Sequence, residues 1–182
     1  TTKNESKTKL GWNTKKIAIT IGYNLSPNQQ HIEILNQFKN EKIKELSDKI
    51  QLILPLTYGG TPKYKKQLFE KLNHLQYEYR VYDTFLDDIE VAQIRKASDI
   101  MIQLQKTDQF SGSMQEHLFA HNIVITGSWL PYDTLKENNA WFIEIDKIEE
   151  LATTLLNIMN NFESYWNNTR TNPEVILKLS SW

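Results

Sequence analysis

Between Thr107 and His117 the chain reads TDQFSGSMQEH. Two carboxylates, Asp108 and Glu116, stand with seven residues between them, and Ser111, Gly112, Ser113 and Met114 lie in that interval. An apolar run, DIMIQL (99–104), comes before. A strand that empties into a helix start presents free backbone N–H groups and the positive end of the helix dipole, which together favour a phosphate. Gly112 lets the backbone approach such a group closely, and Ser111 and Ser113 add hydroxyl donors. Glu116, one turn into the helix, can accept from the two hydroxyls of a ribose. Asp108, on the strand side, can accept from sugar hydroxyls beyond a diphosphate. The segment thus offers a site for each part of a nucleotide-diphosphate sugar. The same residues also suit plain helix capping: Ser113 and Glu116 form S-M-Q-E, a capping box, and an acid before a turn is ordinary turn chemistry. The local pattern leaves both readings open.

Other chemistries find less support. The absence of cysteine excludes disulfides, thiolate nucleophiles and Cys-based zinc sites. Of the four histidines, His117 and His121 have i, i+4 spacing, but no HExxH pattern surrounds them. The loop after the first apolar run reads GYNLSP, with no GxGxxG; a P-loop, a GxSxG elbow and a DxD motif are likewise absent. That loop also lacks the paired acids a phospho-receiver needs. A formal net charge of −1 gives no case for nucleic acid as a partner. No apolar run approaches the roughly 20 residues of a membrane span.

Something must hold the 107–117 segment in place, and the apolar pattern says what. The runs 16–22, 50–56, 77–83, 99–104, 122–127 and 141–145 read as six strands. Helical patterns alternate with them at 27–46, 62–73, 87–97, 113–121, 131–138 and 148–162, the first with Ser26 as N-cap and Pro27 at its first position. Continuous apolar strands joined by helices predict an α/β fold. Its core would be a Rossmann-like, doubly wound, six-stranded parallel sheet with helices on both faces. Residues 1–14, rich in lysine, read as a solvated leader or interdomain linker, 15–166 as the domain, and 167–182 as a polar tail. Ligands in such sheets bind beyond the carboxyl ends of the strands, at the switch point. The loops after the first four strands therefore carry the interest.

At this point a family resemblance enters. The acid-x7-acid spacing of Asp108 and Glu116 resembles the E-x7-E motif of GT-B glycosyltransferases, with Asp in place of the first Glu and the Gly-rich turn reduced to Ser-Gly-Ser. IGYNLSPNQQHIEILNQF, LPLTYGGTPKYKKQLFEKL and the stretch from FLDD to VITG are similar in order and spacing to the donor half of bacterial 4-acetamido-4,6-dideoxygalactose transferases. The similarity covers roughly residues 16–165, with PLTYG and the Asn24, Asn28, His31 pattern its more distinctive pieces. It implies a C-terminal nucleotide-sugar-binding domain that transfers a sugar to a cell-envelope or polysaccharide acceptor. Gly22 and Asn24 would face the donor; Tyr58, Gly59 and Tyr64 would line the cleft near the diphosphate. Phe85 and Leu86 would cradle the base, Ser111, Gly112, Ser113 and Met114 would hold the diphosphate, and Asp108 and Glu116 would serve the sugar and ribose as catalytic-site acids. Lys63, Lys65, Lys66 and Lys106 compete for the diphosphate contact. The resemblance further implies no cofactor and no metal, and a missing N-terminal acceptor-binding domain without which the chain alone is inactive. Cytoplasmic residence is expected, with peripheral contact at the inner membrane face through a lipid-linked acceptor. A non-catalytic nucleotide-binding or interaction module on the same fold is the alternative.

Overall fold

Each of the six apolar runs is a strand in the computed structural model, which describes residues 2–180. They are β1 Ile17–Ile21, β2 Ile50–Pro55, β3 Glu78–Tyr82, β4 Ile100–Gln103, β5 Ile123–Gly127 and β6 Ile143–Ile145. All pair in parallel, in the order β3-β2-β1-β4-β5-β6. The chain builds the sheet outward from β1 to β3 on one side and then crosses over to build from β4 to β6 on the other; β1 and β4 are neighbours, with Ile19 opposite Ile100. This is the doubly wound, Rossmann-like sheet expected, and its switch point lies between those two strands.

The run-on apolar character of the strands follows from covering on both faces. Alternate residues go to opposite sides. Ile100 and Ile102 join a core with Ile34, Leu35, Phe38, Leu68, Leu72 and Leu155. Met101, between them, joins a second core with Met114, Leu118, Val124, Tyr132 and Ile176. The first core is covered by α2 (His31–Gln37), α3 (Glu41–Lys44), α4 (Pro62–Asn73) and α8 (Leu151–Asn160). The opposite face is covered by α1 (Lys3–Lys9), α5 (Asp88–Ala97), α6 (Gly112–Phe119), α7 (Asp133–Glu137) and α10 (Asn172–Leu179).

Several expected boundaries change, each for a local reason. The helix predicted over 27–46 is broken. A single 3₁₀ turn, Pro27–Gln29, is capped by Ser26, and Gln30 then adopts a left-handed φ of 58°. From there the Gln30 side chain donates to the Leu104 carbonyl at 2.7 Å, anchoring the loop to the end of β4. The last predicted helix stops at Asn160; Asn161, with φ −135° and ψ 35°, breaks it, and α9 (Phe162–Asn168) follows. Of the expected tail, α10 buries Asn172 and Ile176, while Ser181 and Trp182 lie outside the described residues.

The largest correction is at the start of the chain. Thr1 lies outside the described residues, but Lys3–Lys9 of the supposed solvated leader form α1, with a Thr2–Glu5 capping box. The helix buries Ser6 and Lys7, and Trp12 follows it into a small core with Ala18, Ile53, Ile94 and Ala97. Lys7 Nζ meets Asp99 Oδ2 at 2.5 Å and donates to the Lys16 carbonyl at 2.9 Å. Lys3 Nζ donates to the carbonyls of Ser98 (2.5 Å) and Ala120 (3.2 Å) and to Asn122 Oδ1. Burial lowers Lys3 to about 8. These lysines face inward because the C-terminal ends of α5 and α6 leave the Ser98 and Ala120 carbonyls, and Asp99 adds a carboxylate, at that end of the sheet for them to satisfy.

Candidate functional site

A cleft of about 920 Å³ opens beyond the carboxyl ends of the strands, at the switch point. The β4–α6 loop forms one wall. Here Ser111, not Ser113, is the N-cap: its Oγ accepts from the Met114 N–H at 3.1 Å. The expected Ser113–Glu116 capping box therefore does not form. Two consequences follow for chemistry. The N–H groups of Gly112 and Ser113 meet no acceptor among the described residues, and they lie on the cleft wall. Ser113 Oγ, though buried, also lacks a partner. Nothing approaches within 4 Å of the place a Cβ would take on Gly112. The turn is an open set of donors at the positive end of a helix.

Glu116 stands over the floor of this cleft, freed from capping. Its Oε2 accepts from Arg95 Nε at 3.1 Å, and Arg95, on α5, is almost wholly buried. Burial lowers the Arg95 pKa, and the Glu116 charge offsets part of that. Asp108 lies on the same wall, held by its own turn: its Oδ1 accepts from the Gln109 N–H at 2.8 Å, and Oδ2 accepts from the Tyr132 hydroxyl. The two acids thus share one cleft with the open helix start between them.

The opposite wall is aromatic. There Tyr58 is 62% exposed and Phe85 88%, and Phe110, 44% exposed, stands at the mouth on the β4–α6 loop itself. Soluble proteins rarely leave such a cluster of rings in water without a use for it. Tyr23 closes the side nearest Asp108, whose charge adds to burial in raising the Tyr23 pKa.

Of the residues singled out from sequence, Asp108, Glu116, Ser111, Gly112, Ser113, Tyr58, Phe85 and Leu86 line this cleft. The others sit behind it. Met114 is fully buried in the core beneath α6. Tyr64 packs on His31 instead, its hydroxyl 3.2 Å from Nδ1, and burial raises it to about 12. Gly22, with φ 62°, turns the chain off β1; a Cβ there would stand 2.7 Å from Gln29 Oε1. Asn24 is buried and accepts from the Ser26 N–H at 2.8 Å. Gly59, with φ 88°, lets the second loop pass within contact of Ser26, and the Leu25 N–H donates to the Tyr58 carbonyl at 2.6 Å. Gly22, Asn24 and Gly59 therefore clasp two loops together and so present Tyr58 to the cleft.

The lysines are placed elsewhere: Lys65 pairs with Asp83 at 2.8 Å, and Lys63, Lys66 and Lys106 are exposed away from the lining. Arg95 is the basic residue that reaches the cleft. Sequence inspection missed it because it lies on the helix before β4, where an arginine in the last turn reads as ordinary dipole compensation. The His117/His121 spacing is not helical in fact. α6 ends at Phe119, and His121 takes a left-handed φ of 58°. Among the described residues no three or more His, Asp or Glu side chains come together as a metal site would need. No helix among them is long and apolar enough to cross a membrane.

No family model matches the chain, and no curated relative matches its sequence. Solved structures do match it in shape. One is HepE of Anabaena in complex with UDP and glucose, at 12% identity and a TM-score of 0.77, over 97% of this chain and 47% of that one. Another is the C-terminal domain of a group 1 family glycosyl transferase, LpcC, from Francisella tularensis: 15% identity, TM-score 0.72, 97% of this chain and 91% of that one. WaaG, a glycosyltransferase involved in lipopolysaccharide biosynthesis, aligns at 16% identity and a TM-score of 0.69, over 94% of this chain and 46% of that one. The chain spans about half the length of HepE and WaaG and nearly all of the LpcC domain. Its fold is that of the C-terminal domain of GT-B glycosyltransferases.

Proposed function

We propose that this chain is the donor-binding domain of a glycosyltransferase, and that the switch-point cleft takes a nucleotide-diphosphate sugar. One observation carries the reading: the open N–H groups of Gly112 and Ser113 lie between Asp108 and Glu116 within a single cleft. A diphosphate seated at the start of α6 meets those N–H groups, the Ser113 hydroxyl and the helix dipole. The ribose reaches the free Oε1 of Glu116, whose other oxygen Arg95 holds. The base rests among Phe85, Leu86 and Tyr58, and the sugar turns toward Asp108 and Tyr23.

Glycosyl transfer builds cationic character at the anomeric carbon and negative charge on the departing diphosphate. In this reading the helix start, with Arg95 behind it, stabilises that charge. No cofactor is assigned to the domain. The acceptor, a cell-envelope or polysaccharide glycan, and its general base belong to a second domain. The likeness to chains about twice as long supports such a partner. A lipid-linked acceptor would bring the whole protein to the inner face of the membrane.

Calorimetry tests the reading directly. The chain is expected to bind at least one of UDP, TDP, GDP or CDP and its sugar esters. Glu116→Ala is expected to weaken that binding by roughly tenfold or more, as loss of a charge-assisted hydrogen bond requires. Absence of heat with every nucleotide, together with an unaffected Glu116→Ala variant in a longer protein, would sink it. Nucleotide binding without transfer when an acceptor domain is present would instead favour a non-catalytic module.

A further inference from the structure

Asp108 is not a free carboxylate at the lip of a cleft. It is gripped from below by a residue from a different strand end. Tyr132 lies in the β5–α7 connection and is fully buried beneath the β4–α6 loop. Its hydroxyl donates to Asp108 Oδ2. Gln103, the last residue of β4, stands behind it. Gln103 Nε2 lies 3.3 Å from the Tyr132 hydroxyl and 3.3 Å from Ser111 Oγ. An amide N–H directed at the phenol oxygen leaves the phenol's own proton for the carboxylate. Burial, then the hydrogen bond to Asp108, raises the Tyr132 pKa, so the group stays a donor throughout the neutral range. The second oxygen, Oδ1, is held by the Gln109 N–H at 2.8 Å.

A carboxylate on a loop ordinarily samples several rotamers, and ordering it on binding takes free energy from the complex. Here one hydrogen bond to each oxygen fixes the plane of the group before any ligand arrives, and each oxygen retains lone-pair capacity toward the cleft. We infer that Tyr132 is a positioning residue that orients Asp108 as a preformed acceptor for the hydroxyls of the donor's sugar. This rests on the donor-site reading above and adds a division of labour to it. The helix start and Glu116 recognise the nucleotide; the Gln103–Tyr132–Asp108 relay recognises the sugar. Nothing in the local sequence marks Tyr132, which follows a Pro and precedes a short helix.

The division separates two affinities that a merely structural tyrosine would move together. Each of UDP, TDP, GDP and CDP is titrated into the chain, and then its sugar ester, for the wild type, Tyr132→Phe, Asp108→Ala and the double variant. In Tyr132→Phe, affinity for the nucleoside diphosphate is expected to stay within about twofold while affinity for the sugar ester falls about tenfold. In the Asp108→Ala background Tyr132→Phe is expected to add nothing, since the two act as one unit. Equal losses for nucleotide and sugar ester, or additive losses in the double variant, overturn the inference and leave the donor site standing. A wild type that binds no nucleotide overturns both. Should Tyr132→Phe fail to fold, the unaltered chain still decides the matter. With ¹³Cζ-labelled tyrosine, the Tyr132 resonance is expected to shift with the sugar ester and to stay put with the nucleoside diphosphate. A resonance that responds equally to both overturns the inference.

Discussion

Asp99→Ala lowers the stability of the chain by about 3–5 kcal/mol, the range for removing one partner from a buried ion pair. Asp99 stands just before β4 and is almost fully buried, as is Lys7, whose ammonium lies 2.5 Å away. The same Asp99 oxygen accepts from the Ala18 N–H at 2.8 Å. Alanine would leave the Lys7 charge with only the Lys16 carbonyl and would leave a β1 amide without its acceptor. Neither group can reach water without moving α1. The pair therefore clamps α1 to the sheet, and α1 in turn packs on α5, which carries Arg95 to the cleft. Chemical denaturation of the variant against the wild type gives the loss, and the melting temperature should fall by roughly 10 °C for a chain of this size. Lys44→Ala, which breaks an exposed i, i+3 pair with Glu41, serves as the comparison and should change stability by less than about 0.5 kcal/mol. An Asp99→Ala loss under about 1 kcal/mol would mean that α1 is not clamped and that the solvated-leader expectation was the better one.

That expectation failed for a reason general to sequence reading. Lysines at Lys3, Lys7 and Lys9 look like a solvated run, because burial of a lysine is seen only with the partner that compensates it. Here the partner is 92 residues away for Lys7 and 119 for the Lys3–Asn122 contact. The strands, by contrast, are all legible: their apolar runs are local and bounded by turn residues. The switch point followed from them through topology alone. The site divides along the same line. Asp108 and Glu116 could be singled out because both lie in one loop and one helix. Tyr132, Gln103 and Arg95 could not: Arg95 reaches the cleft from α5, while Tyr132 and Gln103 act from behind it, buried, and their pairing across the fold is not local in sequence. The capping residue was misassigned by two positions. Ser111 and Ser113 are both good N-caps, and only the backbone extension at Ser111, with ψ of 112°, decides between them. The correction favours ligand binding: with Ser111 serving Met114, Gly112 and Ser113 keep their donors free.

Histidine burial yields the second large effect, a loss of stability in mild acid. His31 is fully buried behind the first loop, its Nδ1 against the Tyr64 hydroxyl and its Nε2 without a partner. Burial lowers it from 6.5 to about 4. His117 is buried on α6, with Nδ1 held by Asn122 at 2.6 Å and Nε2 unpartnered. Burial, with the nearby Arg95 and Lys3 charges, pushes it well below its ordinary value. A depressed histidine is neutral in the fold but protonated in the unfolded chain once the pH drops below 6.5. The unfolded state then binds more protons, so stability is fully present above that pH and is lost as pH falls toward the folded pKa. For His31 alone the complete loss is about 3 kcal/mol, of which about 2 kcal/mol falls between about pH 7.5 and 5, where carboxylates remain largely ionised. His117 adds to it in the same direction. Urea unfolding at the two pH values measures the slope, and His31→Gln, which cannot titrate, should remove about 2 kcal/mol of it. A slope that His31→Gln leaves unchanged would show that the imidazole is solvated or paired, and that the first loop does not seal His31 from water.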